Sequence, residues 1–201
     1  HELERLAIDI HLGDEAAESS VSKIAPDVVC VATGSVLSVP DIQGIKGGNV
    51  ILATDVLAGK AIAGDSVAIL GGGEIGLETG YHLSEQGKKV AIIEQMKKVG
   101  TEMIPAFNSY VRHKFSEFGG KLITLAKVVE VKKQGAVYER DGHRVLEEAD
   151  TVVIAMGQTS NTRFLESLRG KVPELYAVGN AVKPGKIMDA VHGAAEIAIK
   201  I

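Results

Sequence analysis

Val67-Ala68-Ile69-Leu70-Gly71-Gly72-Gly73-Glu74-Ile75-Gly76 is the stretch that decides the fold. Four apolar residues in a row read as a strand buried on both faces, as strands of a parallel sheet are. Glycines follow at once, and a helical pattern then runs to about Glu85, where Gly87 supplies a stop. Strand, glycine turn and helix form the context in which Gly71-x-Gly73-x-x-Gly76 points to a dinucleotide. Gly71 permits the tight turn, Gly73 lets the backbone approach a pyrophosphate, and Gly76 lets the helix pack close on the strand. The backbone N–H groups that open the helix, from Gly72 through Glu74 and Ile75, then face the phosphates with the positive end of the helix dipole.

Glu94 ends the next apolar run, residues 90–94, and lies 23 residues beyond Gly71. A carboxylate there accepts hydrogen bonds from ribose hydroxyls and repels a 2′-phosphate, which favours NAD(H) over NADP(H). Lys97 and Lys98 leave two readings open: partners for a 2′-phosphate, or solvated lysines beside an acidic site. Glu78, one turn into the helix, either reaches the carboxamide of a nicotinamide or is an exposed helical residue. The plainest alternative for the whole motif is a glycine turn kept for packing, with Glu94 a solvated strand end.

Outward from this unit, β-branched runs alternate with helical stretches, which predicts an α/β fold with a parallel sheet and crossover helices. Strands are expected at residues 6–12, 28–32, 122–125, 151–155 and 175–178, the second of them buried and carrying Cys30 as a small hydrophobe. Pro40 with Gly44, Gly47 and Gly48 marks a connection, and Thr54 is expected to cap a short helix. Pro105 opens a helix that Gly119-Gly120 ends, and residues 188–199 form a closing helix. Between residues 128 and 145, Gly135 and Asp141-Gly142 are turn signals of an antiparallel meander.

Composition narrows the function. With 45% hydrophobic residues in 201 the chain has ample core material, so it is not a disordered protein. One cysteine excludes an internal disulfide, a paired-cysteine redox centre and an all-cysteine cluster. A net charge of −4 gives no reason to expect nucleic acid, and no apolar run approaches the roughly 20 residues of a membrane span. With no secretory signal, a cytoplasmic setting is expected. His1, His11, His82, His113, His143 and His192 show no metal-ligand spacing, so no metal is expected. Tyr81 and Tyr110 read as packing residues, and no nucleophile elbow occurs. The chain opens on His1 without a methionine, which reads as a fragment or a processed chain.

Ala32-Thr33-Gly34, the glycine turn through Glu78, Ala155-Met156-Gly157 and Leu175-Tyr176-Ala177-Val178-Gly179-Asn180 occur in the order seen in flavoprotein reductases with two dinucleotide domains. With Asp27-Val28-Val29 and residues 186–192, the chain resembles the C-terminal part of NADH:flavin oxidoreductases related to 2-enoate reductase, 2,4-dienoyl-CoA reductase and trimethylamine dehydrogenase. The resemblance implies a Rossmann-like FAD/NAD(P)-binding fold of the pyridine nucleotide-disulfide oxidoreductase type. An NAD domain over residues 46–158 would interrupt an FAD domain whose pieces are residues 1–45 and 159–201. Gly157, Gly179 and Asn180 would join the glycine turn, Glu78 and Glu94 as cofactor-binding residues. The family usually has Gly-Asp where Gly179-Asn180 stands, so the expected partner of the flavin ribityl chain is uncharged here.

The implied role is passage of hydride from NADH to FAD, with FMN, a 4Fe-4S cluster and the first FAD segment carried upstream of this chain. No residue of this chain is then expected to act as general acid or base. The alternative is a structural ADP-binding module of the trimethylamine dehydrogenase type, and homo-oligomerisation stays open.

Overall fold

A chain that alternates β-branched runs with helices can cover both faces of its strands by laying the helices over a parallel sheet. The computed structural model describes residues 2–201 and takes this α/β form. Its elements are α1 (Glu2–Arg5), α2 (Glu18–Ile24), β1 (Val28–Val31), β2 (Ser35–Leu37), β3 (Val50–Leu52), α3 (Ala53–Leu57), β4 (Ser66–Leu70), α4 (Glu74–Glu85), β5 (Lys89–Ile93) and α5 (Pro105–Glu117). There follow β6 (Lys121–Ile123), β7 (Lys127–Lys132), β8 (Gly135–Arg140), β9 (His143–Glu148), β10 (Thr151–Ile154), β11 (Gln158–Ser160), α6 (Arg163–Leu168), β12 (Glu174–Ala177) and α7 (Ile187–Ala198). The chain forms two compact units, one of Leu37–Gln158 and one of the residues up to Val36 with Thr159–Ile201.

The Leu37–Gln158 unit is built on a five-stranded parallel sheet of order β3-β10-β4-β5-β6. Beyond their first residues, Ser66, Lys89, Lys121 and Thr151, strands β4, β5, β6 and β10 are apolar, and both faces of the sheet are covered. Val67 and Ile69 of β4 turn to one side, packing with Leu77, Leu83, Val111 and Phe115 of α4 and α5. Ala68 and Leu70 turn to the other, packing with Val128, Val131, Ala136 and Tyr138 of the antiparallel sheet β7-β8-β9. That sheet is the expected meander. Its second turn, Asp141-Gly142, has φ of 50° and 77°, the two positive values a two-residue hairpin with the favoured twist requires. Ile45 is buried in the same core as Ala136, so the connection after Pro40 packs as part of this unit.

The other unit has far less interior. β1 and β12 form a parallel pair, Val28 beside Glu174 and Val31 beside Ala177. Among the described residues its buried hydrophobics are Val31, Leu168 and Ala181, and neither α2 nor α7 buries a residue.

Three expectations are corrected. Residues 6–12 form no strand. Leu6, Ile8, Ile10 and Leu12 are exposed, because a strand needs a hydrogen-bonded neighbour and, among the described residues, β1 and β12 pair only with each other. Cys30 is exposed rather than buried, since a two-stranded sheet leaves one side of β1 uncovered. Thr54 is not a cap: β3 runs directly into α3, Leu52 takes the cap position, and the register of Leu52 beside Ile154 fixes that junction. The strands β2, β3 and β11 were too short, at three residues each, to show a period in the sequence.

Candidate functional site

β4 is the point where the strand order reverses: β5 and β6 lie to one side of it, β10 and β3 to the other. Ligands of open parallel sheets bind beyond the C-terminal ends of strands at such a point. Gly71, Glu94 and Ala155 follow the ends of β4, β5 and β10, so the fold brings them to that edge.

The three fingerprint glycines have different reasons to be glycine. Gly71 has φ of 101°, and a Cβ on it would lie 2.6 Å from the Ala155 carbonyl oxygen. At Gly76 a Cβ would lie 2.0 Å from the Gly71 carbonyl oxygen, so α4 reaches its packing distance on β4 only without a side chain there. Gly73 is the exception. A Cβ would meet nothing closer than the Glu102 carboxylate oxygens at 3.6 and 3.7 Å, an ordinary contact. The protein's own packing therefore does not demand glycine at residue 73.

Gly73 is the N-cap residue of α4 and offers no side-chain acceptor to the N–H groups of the first turn. Those donors and the dipole end suit a phosphate. Gly72 is buried, with Val99 and Glu94 against it. Ile75 packs its side chain on the core, leaving its backbone at the helix end, while Glu74 is exposed.

Glu94 is half-buried and tied to the turn. The Gly72 N–H donates to its Oε2 at 2.7 Å and the Met96 N–H to its Oε1 at 2.7 Å. Two acceptor positions on the carboxylate are used, which leaves lone pairs for two ribose hydroxyls. Lys97 and Lys98 are exposed beyond it.

Glu78 is half-buried on α4. Burial pushes its carboxyl up from the ordinary glutamate value, and the charge of Glu74 adds to the rise. A raised carboxyl holds its proton in the folded chain through a window where the unfolded chain has lost it, so it costs stability as pH rises through that window. Glu78→Gln is accordingly expected to match the wild-type Tm below the glutamate range and to exceed it at neutral pH. The gain should be about 1–2 °C, because solvent screens a half-exposed group. Melting curves across pH test this, and identical curves would refute it.

Gly157 follows β10 with φ of 66° and its carbonyl accepts from the Ser38 N–H at 3.2 Å. Gly179 and Asn180 belong to the other unit. They line, with Ala32, Gly34, Lys186 and Ala190, a cavity of about 320 Å³. Gly34 and Gly179 have φ of 72° and 59°, so side-chain-free backbone faces it. Asn180 Oδ1 accepts from the Gly185 N–H at 3.0 Å and its Nδ2 donates to Ser35 Oγ at 3.3 Å.

Sequence reasoning passed over the segment after β5. The Gly100 N–H donates to the Gly72 carbonyl at 2.7 Å, and Asn108 Nδ2 donates to the carbonyls of Val99 and Gly100. This segment lies over the glycine turn, and Gly100 was its one visible signal. Among the described residues no group of His, Cys, Asp and Glu is placed to hold a metal, and no helix is long and apolar enough to cross a membrane. His1 lies outside the described residues.

A parallel sheet with a glycine turn, an uncapped helix end and a carboxylate on the adjoining strand defines a Rossmann-type dinucleotide-binding unit. The chain belongs to the pyridine nucleotide-disulphide oxidoreductase family, whose model matches residues 4–196. An NADH oxidase of Thermoanaerobacter brockii is 32% identical over 206 residues, covering 100% of this chain and 32% of that protein. A cinnamate reductase of Clostridium sporogenes is 30% identical over 204 residues, covering 99% of this chain and 30% of that protein. A structure of 2-naphthoyl-CoA reductase with 2-naphthoyl-CoA superposes with a TM-score of 0.93 at 30% identity, covering 100% of this chain and 31% of that one. The chain thus spans about a third of the length of these relatives.

Proposed function

We propose that this chain is the pyridine-nucleotide entry point of a flavin-dependent NADH oxidoreductase. The Leu37–Gln158 unit holds NADH, and the other unit contributes part of an FAD site. The observation that carries the reading is the Glu94 carboxylate, held by the Gly72 N–H at the foot of an uncapped helix. Donors for a pyrophosphate and an acceptor for ribose hydroxyls then stand on neighbouring strand ends. Gly73 leaves the side-chain-free approach a phosphate needs. For FAD, the glycine-lined cavity would take one portion of the cofactor against backbone, and Asn180 would offer its amide oxygen to the ribityl chain.

When bound, NADH supplies a hydride and FAD accepts it; the protein's part is to bind, orient and keep water out. Gly73 and the first turn of α4 seat the phosphates, and Gly72, whose N–H is taken by Glu94, instead holds the carboxylate that orients the adenosine ribose. Gly157, three residues beyond β10, would let the nucleotide approach its backbone. A role in an enoate- or dienoyl-CoA-reductase-like enzyme is supported by the cinnamate reductase and the 2-naphthoyl-CoA reductase among the relatives. In such an enzyme an FMN domain and an iron–sulfur cluster would belong to other parts of the protein. Since Glu94 and the glycine turn serve only the ADP half of a dinucleotide, a structural ADP site is the second reading. NADH oxidation by the full-length protein separates the two.

The chain should bind NADH about tenfold more tightly than NADPH, because a 2′-phosphate meets the Glu94 carboxylate. Glu94→Ala should narrow that ratio to near unity. Titration calorimetry with both nucleotides checks this. Equal or tighter NADPH binding by the wild-type chain would turn attention to Lys97 and Lys98.

A further inference from the structure

Gly72 is bonded through both halves of its backbone. Its N–H donates to Glu94 Oε2 at 2.7 Å, and its carbonyl accepts from the Gly100 N–H at 2.7 Å. Val99 is buried against it, since a Cβ on Gly72 would lie 2.7 Å from Val99 Cγ1. Residues 95–98, between Glu94 and Val99, are exposed. The far end of this exposed stretch is fastened from α5. Half-buried Asn108, the fourth residue of that helix, donates from Nδ2 to the Val99 carbonyl at 3.0 Å and to the Gly100 carbonyl. An amide nitrogen carries two N–H groups, so one side chain serves both carbonyls. Gly100, with φ of 61°, lets the amide come this close, because a Cβ there would overlap Asn108 Nδ2.

We propose that Asn108 is a positioning residue for ribose recognition: by fastening Val99 and Gly100 it holds Glu94 in the pose that separates NADH from NADPH. This rests on the reading of Glu94 as the ribose acceptor. The Glu94 carboxylate takes its orientation from two N–H groups, those of Gly72 and Met96. Met96 lies within the exposed stretch, and Gly72 is tied to the end of that stretch through Gly100. One fastening at Asn108 therefore acts on both. Without the amide, two carbonyls lose this donor and residues 95–99 gain conformational freedom, so the carboxylate spreads over several poses. Its hold on ribose hydroxyls and its repulsion of a 2′-phosphate then weaken together. The signature is a loss for NADH with little change for NADPH.

The test is titration calorimetry with NADH and NADPH on the wild-type chain, Asn108→Leu, Glu94→Ala and the double variant, with melting curves to compare folds. Leu is close to Asn in size and donates nothing. Asn108→Leu should bind NADH about fivefold more weakly, the scale of one net hydrogen bond, and NADPH within about twofold of wild type. In the Glu94→Ala background the same substitution should shift NADH affinity by less than about twofold, because nothing is left to position. Unchanged NADH affinity, an equal loss for both nucleotides, or the full loss in the Glu94→Ala background would overturn the proposal. If Asn108→Leu does not fold, Asn108→Ala removes the donors without adding bulk and is read the same way; unfolding of both would assign Asn108 to the fold and overturn the proposal as well. Should the wild-type chain bind neither nucleotide, or Glu94→Ala alone leave the NADH to NADPH ratio unmoved, it is the site reading that fails, and this inference with it.

Discussion

Valine at Gly73 is expected to abolish dinucleotide binding while the chain stays folded. Its backbone, with φ of −68° and ψ of −170°, is one that any residue adopts, and a Cβ there meets no protein atom closer than 3.6 Å. The branch intrudes only where a pyrophosphate must come, and it displaces that group from the N–H donors of α4. NADH affinity should fall at least about 100-fold, or about 2.7 kcal/mol. Calorimetry gives the affinity, and a far-UV spectrum with a melting curve gives the fold. Wild-type affinity in a folded variant would mean that the glycine turn is a packing device alone.

Alanine at Gly76 should do the reverse and strike the fold itself. The added methyl group would sit 2.0 Å from the Gly71 carbonyl oxygen and 3.0 Å from its carbon. Both are backbone atoms at the end of a central strand, so neither can move aside as a flexible side chain would. Relief must come from sliding α4 off β4, which opens the core around Leu77 and Leu83. The expected loss is about 3 kcal/mol, at the upper end for overpacking, with a fall in Tm of about 10 °C. Thermal melting followed by circular dichroism measures it, and a Tm within about 2 °C of wild type would show that the helix yields more easily than this geometry implies. The pair of substitutions is expected to separate two jobs within one motif, residue 73 tested by nucleotide affinity and residue 76 by stability.

Much of the larger unit is legible along the chain because its signals are local. β4, α4 and β5 lie within a residue of the expected ends, since an apolar run, a glycine turn and Gly87 are all marks of neighbouring residues. The meander was likewise announced by Asp141-Gly142. Glu94 could be picked out by its place at a strand end, although its bond to the Gly72 N–H is visible only in three dimensions. The smaller unit was harder to read. The run at residues 6–12 alternates as a strand does, and Cys30 sits in an apolar stretch, yet neither local pattern carries information about a partner.

By itself, then, the sequence determined the α/β class, the position of the glycine turn and the acidic residue paired with it. All three follow from spacing and from the backbone freedom of particular residues. Only the tertiary structure decided which faces are covered, that residues 6–12 form no strand, that Gly73 is free of packing demands and that Asn108 fastens the segment after β5. Those outcomes depend on contacts between segments far apart in the chain or on the fold of an irregular loop. A strand exists only if another reaches its edge, and Gly100 meets Gly72, 28 residues earlier, because β4 and β5 pair side by side.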